Sequence, residues 1–226
     1  MPLRDRSAGP GSVGRAAGWF PVVGLLLGAI LVAAWWLAGA IFPRSPAAAI
    51  VVAAWTVLTG GLHLDGVADC CDGLLGPHTR ERRLEILDDP RTGAFGVIGI
   101  VLLVMLKTAA VAVLDHPGPL VIAPVLGRLT ILYLAVMPPA RASGMAWEFH
   151  RGLSRQGLCV ATLTAAMAAG VLVSQGLLSY LLAVLVALFL GRVAFRRLGG
   201  VTGDVLGLGC ELTEVLLLLL GVSRLA

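Results

Sequence analysis

Apolar residues fill this chain in runs of about 20, separated by short polar segments. A helix of that length crosses roughly 30 Å of hydrocarbon. The pattern predicts spans over residues 20–42, 47–64, 94–114, 119–137, 157–174, 177–195 and 205–222. The expected fold is therefore all-α: a polytopic integral membrane bundle of six to seven transmembrane helices. No repeat of 20–50 residues is visible. Residues 19–226 read as a single membrane-embedded catalytic domain. Residues 1–18 read as a short cytoplasmic tail, because the stretch is polar, basic and rich in Gly and Pro. It lacks the layout of a secretory signal, and Trp19 onward becomes a full-length span.

Composition agrees with this picture. Of 226 residues, 58% are hydrophobic and 13% charged, against about 25% charged in a soluble domain. The mean hydropathy is +0.93. Cys70, Cys71, Cys159 and Cys210 show no Cys-x-x-Cys spacing for zinc and no disulfide framework. They read as reduced small residues.

Charge sets the orientation. With the N-terminus inside, one side receives Arg4, Arg6, Arg15, Arg80, Arg82, Arg83, Arg91, Arg141, Arg151, Arg155, Arg192, Arg196 and Arg197. The other receives only Arg44 and Arg224. The rule that basic loops stay inside makes the rich side cytoplasmic. All the polar clusters gather there, while the outer connections are short. One elaborate face suggests an enzyme working at the cytoplasmic surface of the cell (inner) membrane. A transporter, with Lys107, Arg128 and Glu211 along an ion path, would be expected to show machinery on both sides.

The strongest chemical signal is GGLHLDGVADCCDGLLG. Spacings of four and three put Asp65, Asp69 and Asp72 on one helix face. Like charges stacked beside a membrane span repel one another and need a cation. A divalent metal, Mg²⁺, is the simplest, and it points to pyrophosphate chemistry. The bland alternative is a solvated helix end partnered by Arg80–Arg83. His63 is off that face and reads as a packing residue or a base.

Four further candidates follow. In LDDPRTGAFG, Arg91 beside a helix start suits an anion, whereas Asp88 and Asp89 could simply cap the span that Pro90 opens. Lys107 and Arg128 are intramembrane charges, so they either contact substrate or pair with Glu211 or Glu214. Arg141, after Pro138–Pro139, is the anion candidate of its loop. In GGVTGDVLGLGCELTEV, Asp204 and Glu211 share a helix face and read as a second acidic wall opposite the aspartates. Thr202 and Gly203 of that run join the candidates for phosphate contact.

HLDGVADCCDG, DDPRTGAFGV with Lys107 downstream, PVLGR, PPAR and GGVTGDVLGLGCELTE, in that order from about Trp19 to Leu220, resemble the cobalamin synthase family. These are adenosylcobinamide-GDP ribazoletransferases of vitamin B12 assembly. The resemblance implies Mg²⁺-dependent joining of adenosylcobinamide-GDP to α-ribazole or its 5′-phosphate, with release of GMP. It implies metal ligands among Asp65, Asp69, Asp72, Asp204 and Glu211. Family members usually carry an extra Phe-x-Thr-Arg-Leu-Pro-like stretch before the FPVVG-like span, and this chain starts almost at Trp19. The expected partners are the two substrates and the lipid bilayer, without nucleic acid. A homo-oligomer or association with other enzymes of the corrinoid pathway is a further expectation. Two neighbouring families share the logic of metal-bound pyrophosphate. CDP-alcohol phosphotransferases use Asp-x-x-Asp-Gly, met here by Asp69, Asp72 and Gly73, but their following Ala-Arg and later aspartates are missing. UbiA-type prenyltransferases normally have two aspartate runs with an Asn before the first.

Overall fold

The computed structural model describes residues 11–223, which form eleven α-helices, one 3-10 turn and no strand. Among the described residues, five helices are long and apolar enough to cross a membrane: Ser12–Ile41, Ala94–Ala112, Gly118–Ala135, Arg155–Leu172 and Gly176–Leu198. The first comprises α1 (Ser12–Ala16), the turn Ala17–Trp19 and α2 (Phe20–Ile41). α6 is Ala94–Ala112, α7 Gly118–Ala135, α9 Arg155–Leu172 and α10 Gly176–Leu198. A sixth crossing arises if α3 (Arg44–Leu58) and α4 (Leu62–Leu75) count as one span broken by a 91° bend. α11 (Gly203–Gly221) has the length of a span but carries Asp204, Glu211 and Glu214.

The break in the expected 47–64 span has a local cause. Gly60 and Gly61 both take positive φ, at 64° and 68°. Their N–H groups return to the carbonyls of Val57 and Thr56, closing α3 as a left-handed glycine cap does. α4, which holds the aspartates, can then leave in a new direction.

α7 is buried along nearly its whole length, and α2, α11, α10 and α9 pack around it. A helix apolar on every side belongs at the centre of a bundle. The polar connections meet at one end. Arg80 Nε donates to Leu198 O at 2.7 Å, and Arg83 donates to the carbonyls of Gly73, Leu74 and Gly76 at 2.7–2.9 Å. These arginines satisfy orphan carbonyls at the ends of α10 and α4. They do not pair with the aspartates. At the same end, Pro139 and Val201 form an isolated parallel bridge. The other end has Arg44 and Asp115 at 3.7 Å.

Residues 11–18, within the stretch expected to be a tail, pack against the bundle. Gly14, Ala17 and Gly18 are buried, α1 packs on α8 (Met145–Gly152) and the turn packs on α9. Residues 1–10 lie outside the described part. α5 (Arg80–Leu87), capped by the Thr79 hydroxyl, and α8 form the surface around the site.

Candidate active site

α4 and α11 meet backbone to backbone. A Cβ on Gly66 would lie 2.7 Å from the Asp204 carbonyl oxygen and 3.1 Å from its Cα. Only glycine permits this approach, and it brings Asp65, next to Gly66, beside Asp204. α11 starts there because the Thr202 hydroxyl accepts the Val205 N–H at 3.4 Å. Asp204 in the first turn then meets the positive end of the helix dipole.

Asp65, Asp69 and Asp72 share one face of α4, as their spacing predicted. The charges of Asp204, Asp65 and Asp72 all bear on Asp69. Asp65 and Asp69 make no side-chain hydrogen bond or ion pair among the described residues. The charge imbalance expected from sequence is therefore present in the structure.

Asp72 differs from its neighbours. Its Oδ2 accepts the Gly93 N–H at 2.7 Å and its Oδ1 accepts the Gly96 N–H at 2.9 Å. It caps α6 from outside that helix, so Asp88 and Asp89 do not, and Pro90 precedes the helix start at Ala94.

Glu211 is the clearest departure from the expected acidic wall. Lys107 Nζ lies 2.6 Å from Glu211 Oε2 and 2.6 Å from Glu214 Oε2, and Arg128 bonds Glu214 Oε1. Lys107 also stands 4.3 Å from the Trp55 ring centroid. Two cations and two carboxylates thus neutralise one another inside the bundle. Lys107 and Arg128 are held in this network, which is the structural alternative for them, and Glu211 is a partner of Lys107 rather than of the aspartates. His63 lies beside the network and feels Arg128, Glu214 and Lys107. Its Nδ1 is buried without a hydrogen-bond partner among the described residues.

Two cavities adjoin Asp204. One, of about 350 Å³, is lined by Phe20, His63, Asp65, Ile131, Phe149 and Asp204 among others. The second, of about 220 Å³, contains Asp88, Arg141, Thr202 and Asp204. Met145, Gly203 and Asp204 line both. Arg141 pairs with Asp88 at 2.6 Å and donates to Leu84 O at 2.7 Å. Arg91 is turned to Asp89 at 2.7 Å. The side-chain and backbone bonds from Arg91 hold the Asp89 carboxyl down at about 2. A cavity of about 550 Å³ at the other end, lined by Trp35, Trp36, Arg44 and Asp115, holds none of the candidate acids.

Met145 and Phe149 are not among the candidates read from the sequence, where only Arg141 of their segment stood out. The available signal was i, i+4 spacing of two large apolar residues within MAWEFHRG.

Among the described residues no three His, Cys, Asp or Glu side chains form a ready-made metal cage. The donor set still suits Mg²⁺. It is all carboxylate oxygen, and Mg²⁺ is usually held by one or two carboxylates together with substrate phosphates and water.

The family model described as cobalamin-5-phosphate synthase matches residues 1–222. A relative from Roseiflexus sp. (strain RS-1) is 40% identical over 206 residues, covering 88% of this chain and 76% of its own length. Relatives from Pseudomonas entomophila (strain L48) and Ectopseudomonas mendocina (strain ymp) are 40% and 42% identical over 218 and 220 residues. These cover 92% and 93% of this chain, and 88% of each relative. All three relatives are named adenosylcobinamide-GDP ribazoletransferase. No solved structure matches. With the match running through both acidic runs and the bundle that joins them, the chain belongs to the cobalamin-5-phosphate synthase family.

Proposed function

We propose that this protein is a membrane transferase that joins adenosylcobinamide-GDP to α-ribazole, or its 5′-phosphate, and releases GMP. The observation that carries the reading is the convergence of Asp65 and Asp204, from two helices, at the junction of two cavities. The names of the relatives supply the donor and the transfer.

In the reaction a ribazole hydroxyl attacks the phosphorus attached to cobinamide. A new P–O bond forms, the P–O bond to GMP breaks, and GMP leaves with the electron pair. Anionic donor and leaving group make charge neutralisation and alignment the main tasks. Mg²⁺ held by one or two carboxylates among Asp65, Asp69 and Asp204, together with substrate phosphate, would supply the neutralising charge. Asp72, already bonded to two amide groups, positions α6 against α4. Arg141, with Thr202 and Gly203, lines the polar cavity and binds phosphate oxygen. Arg91 adds a further cation in the nearby 88–93 loop. His63 takes the proton from the attacking hydroxyl. What supports that role is the place of its ring on the wall of the 350 Å³ cavity, beside Asp65 and Asp204.

The site end faces the cytoplasm of the inner membrane in this reading, supported by the arginine asymmetry of the connections. The test is GMP release from adenosylcobinamide-GDP and α-ribazole by protein in liposomes. Release is expected with Mg²⁺ and absent with EDTA. Folded protein that releases no GMP with either ribazole form would overturn the reading, and equal release in EDTA would overturn the metal.

A further inference from the structure

The 350 Å³ cavity beside Asp65 has a consistent chemical character. Its interior is apolar and partly aromatic. Phe20 and Phe149 meet edge to face, with centroids 5.3 Å apart and planes at 86°. Ile131 closes one side. Its polar groups are His63, Asp65 and Asp204, and no Lys or Arg among the described residues lines it. Resting on the transferase reading above, we propose that this cavity receives the flat aromatic base of the ribazole acceptor. Phe149 and Met145 then set which base fits.

Three observations select this occupant. Ligand cavities run from roughly 300 to 1,000 Å³, so about 350 Å³ admits one nucleoside and excludes a corrin macrocycle bearing its nucleotide. The apolar interior offers a diphosphate no cationic side chain among the described residues, and the carboxylates that would hold Mg²⁺ sit only at its acidic edge. The neighbouring 220 Å³ cavity, with Arg141, suits the anionic donor instead. Aromatic walls favour a flat ring through stacked or edge-to-face contacts. With the base inside, the ribose lies at the acidic edge, and its hydroxyl meets the donor at Asp204, which lines both spaces. A ribazole phosphate group stays outside the apolar interior.

Met145 is 47% exposed, so Met145→Trp narrows the cavity without rebuilding the core. In liposomes with Mg²⁺, this variant is expected to raise KM for α-ribazole about tenfold, the scale on which a pocket rejects a misfitting group. Met145 also borders the 220 Å³ cavity, so the donor's KM should rise too, by less than the acceptor's. Phe149 lines only the larger of the two, and Phe149→Ala should leave KM for adenosylcobinamide-GDP within about twofold. Phe149→Ala should relax discrimination between nucleosides with smaller and larger bases. Equilibrium dialysis of α-ribazole against detergent-solubilised protein, without Mg²⁺, gives a readout independent of turnover. Binding to the unmodified protein and its loss in Met145→Trp are expected. Unchanged α-ribazole KM in both variants, or a rise confined to the donor's KM, overturns the proposal. If the unmodified protein releases no GMP, the transferase reading fails. The dialysis then decides the cavity separately: α-ribazole binding that Met145→Trp abolishes supports it, and no binding overturns it.

Discussion

The Asp72 carboxylate accepts the backbone N–H of Gly93 at 2.7 Å, so an aspartate of α4 caps the start of α6. Its second oxygen reaches the Gly96 N–H at 2.9 Å. Three aspartates that look equivalent on a helical wheel are therefore not equivalent in the molecule. Asp72 has structural bonds to lose, whereas Asp65 and Asp69 have only repulsion.

This difference predicts opposite behaviour on neutralisation. Asp65→Asn and Asp69→Asn should abolish GMP release while leaving the thermal midpoint in detergent unchanged or higher. Asp72→Ala should cost about 1–2 kcal/mol, as loss of a helix cap does. Near-normal turnover in Asp69→Asn would remove that residue from the metal site.

The buried network predicts a stability effect instead of a direct catalytic one. Glu211→Gln leaves Lys107 with one carboxylate, and Glu214→Gln leaves Arg128 with none. Breaking a buried pair on one side costs about 3–5 kcal/mol. Glu214→Gln should be the worse of the two, and Lys107→Met with Glu211→Gln milder than Lys107→Met alone. Thermal unfolding in detergent ranks them. A Glu211→Gln protein that is fully stable but inactive would return Glu211 to the catalytic set.

The contact between α4 and α11 tolerates little. Gly66→Ala places a methyl 2.7 Å from a backbone oxygen that cannot move alone, so the helices must separate. Activity should fall by more than tenfold, with a stability loss of about 1–3 kcal/mol. Gly39→Ala meets nothing within 4 Å and should change neither, which makes it the matched control.

The Asp89–Arg91 pair predicts where acid matters. Asp89 titrates at about 2, below its ordinary 3.8. The pair therefore contributes above the unfolded value and is lost only as pH falls through about 2. Between pH 5 and 9 Asp89 stays ionised. Arg91→Ala should then lower activity by a constant factor over that range, without moving the inflections of the pH–rate profile. A shifted inflection would show that Arg91 acts on another titrating group.

The sequence by itself determined the helical membrane bundle, the aspartate face of α4 and the family. Hydropathy runs and helical spacing are local properties, so each stretch carries them without its partners. Tertiary structure decided what each charged group does. Lys107 meets Glu211 across 104 residues, Arg128 meets Glu214 across 86, and Asp72 meets Gly93 across 21. Asp204 and Glu211 share a helix face by spacing, yet one ends beside open cavities and the other beside a buried lysine. Seven residues of α-helix separate them by roughly 10 Å along its axis. That distance is enough to pass from the ligand-accessible end of the bundle to its sealed interior, where a carboxylate must be neutralised by a cation brought by another helix.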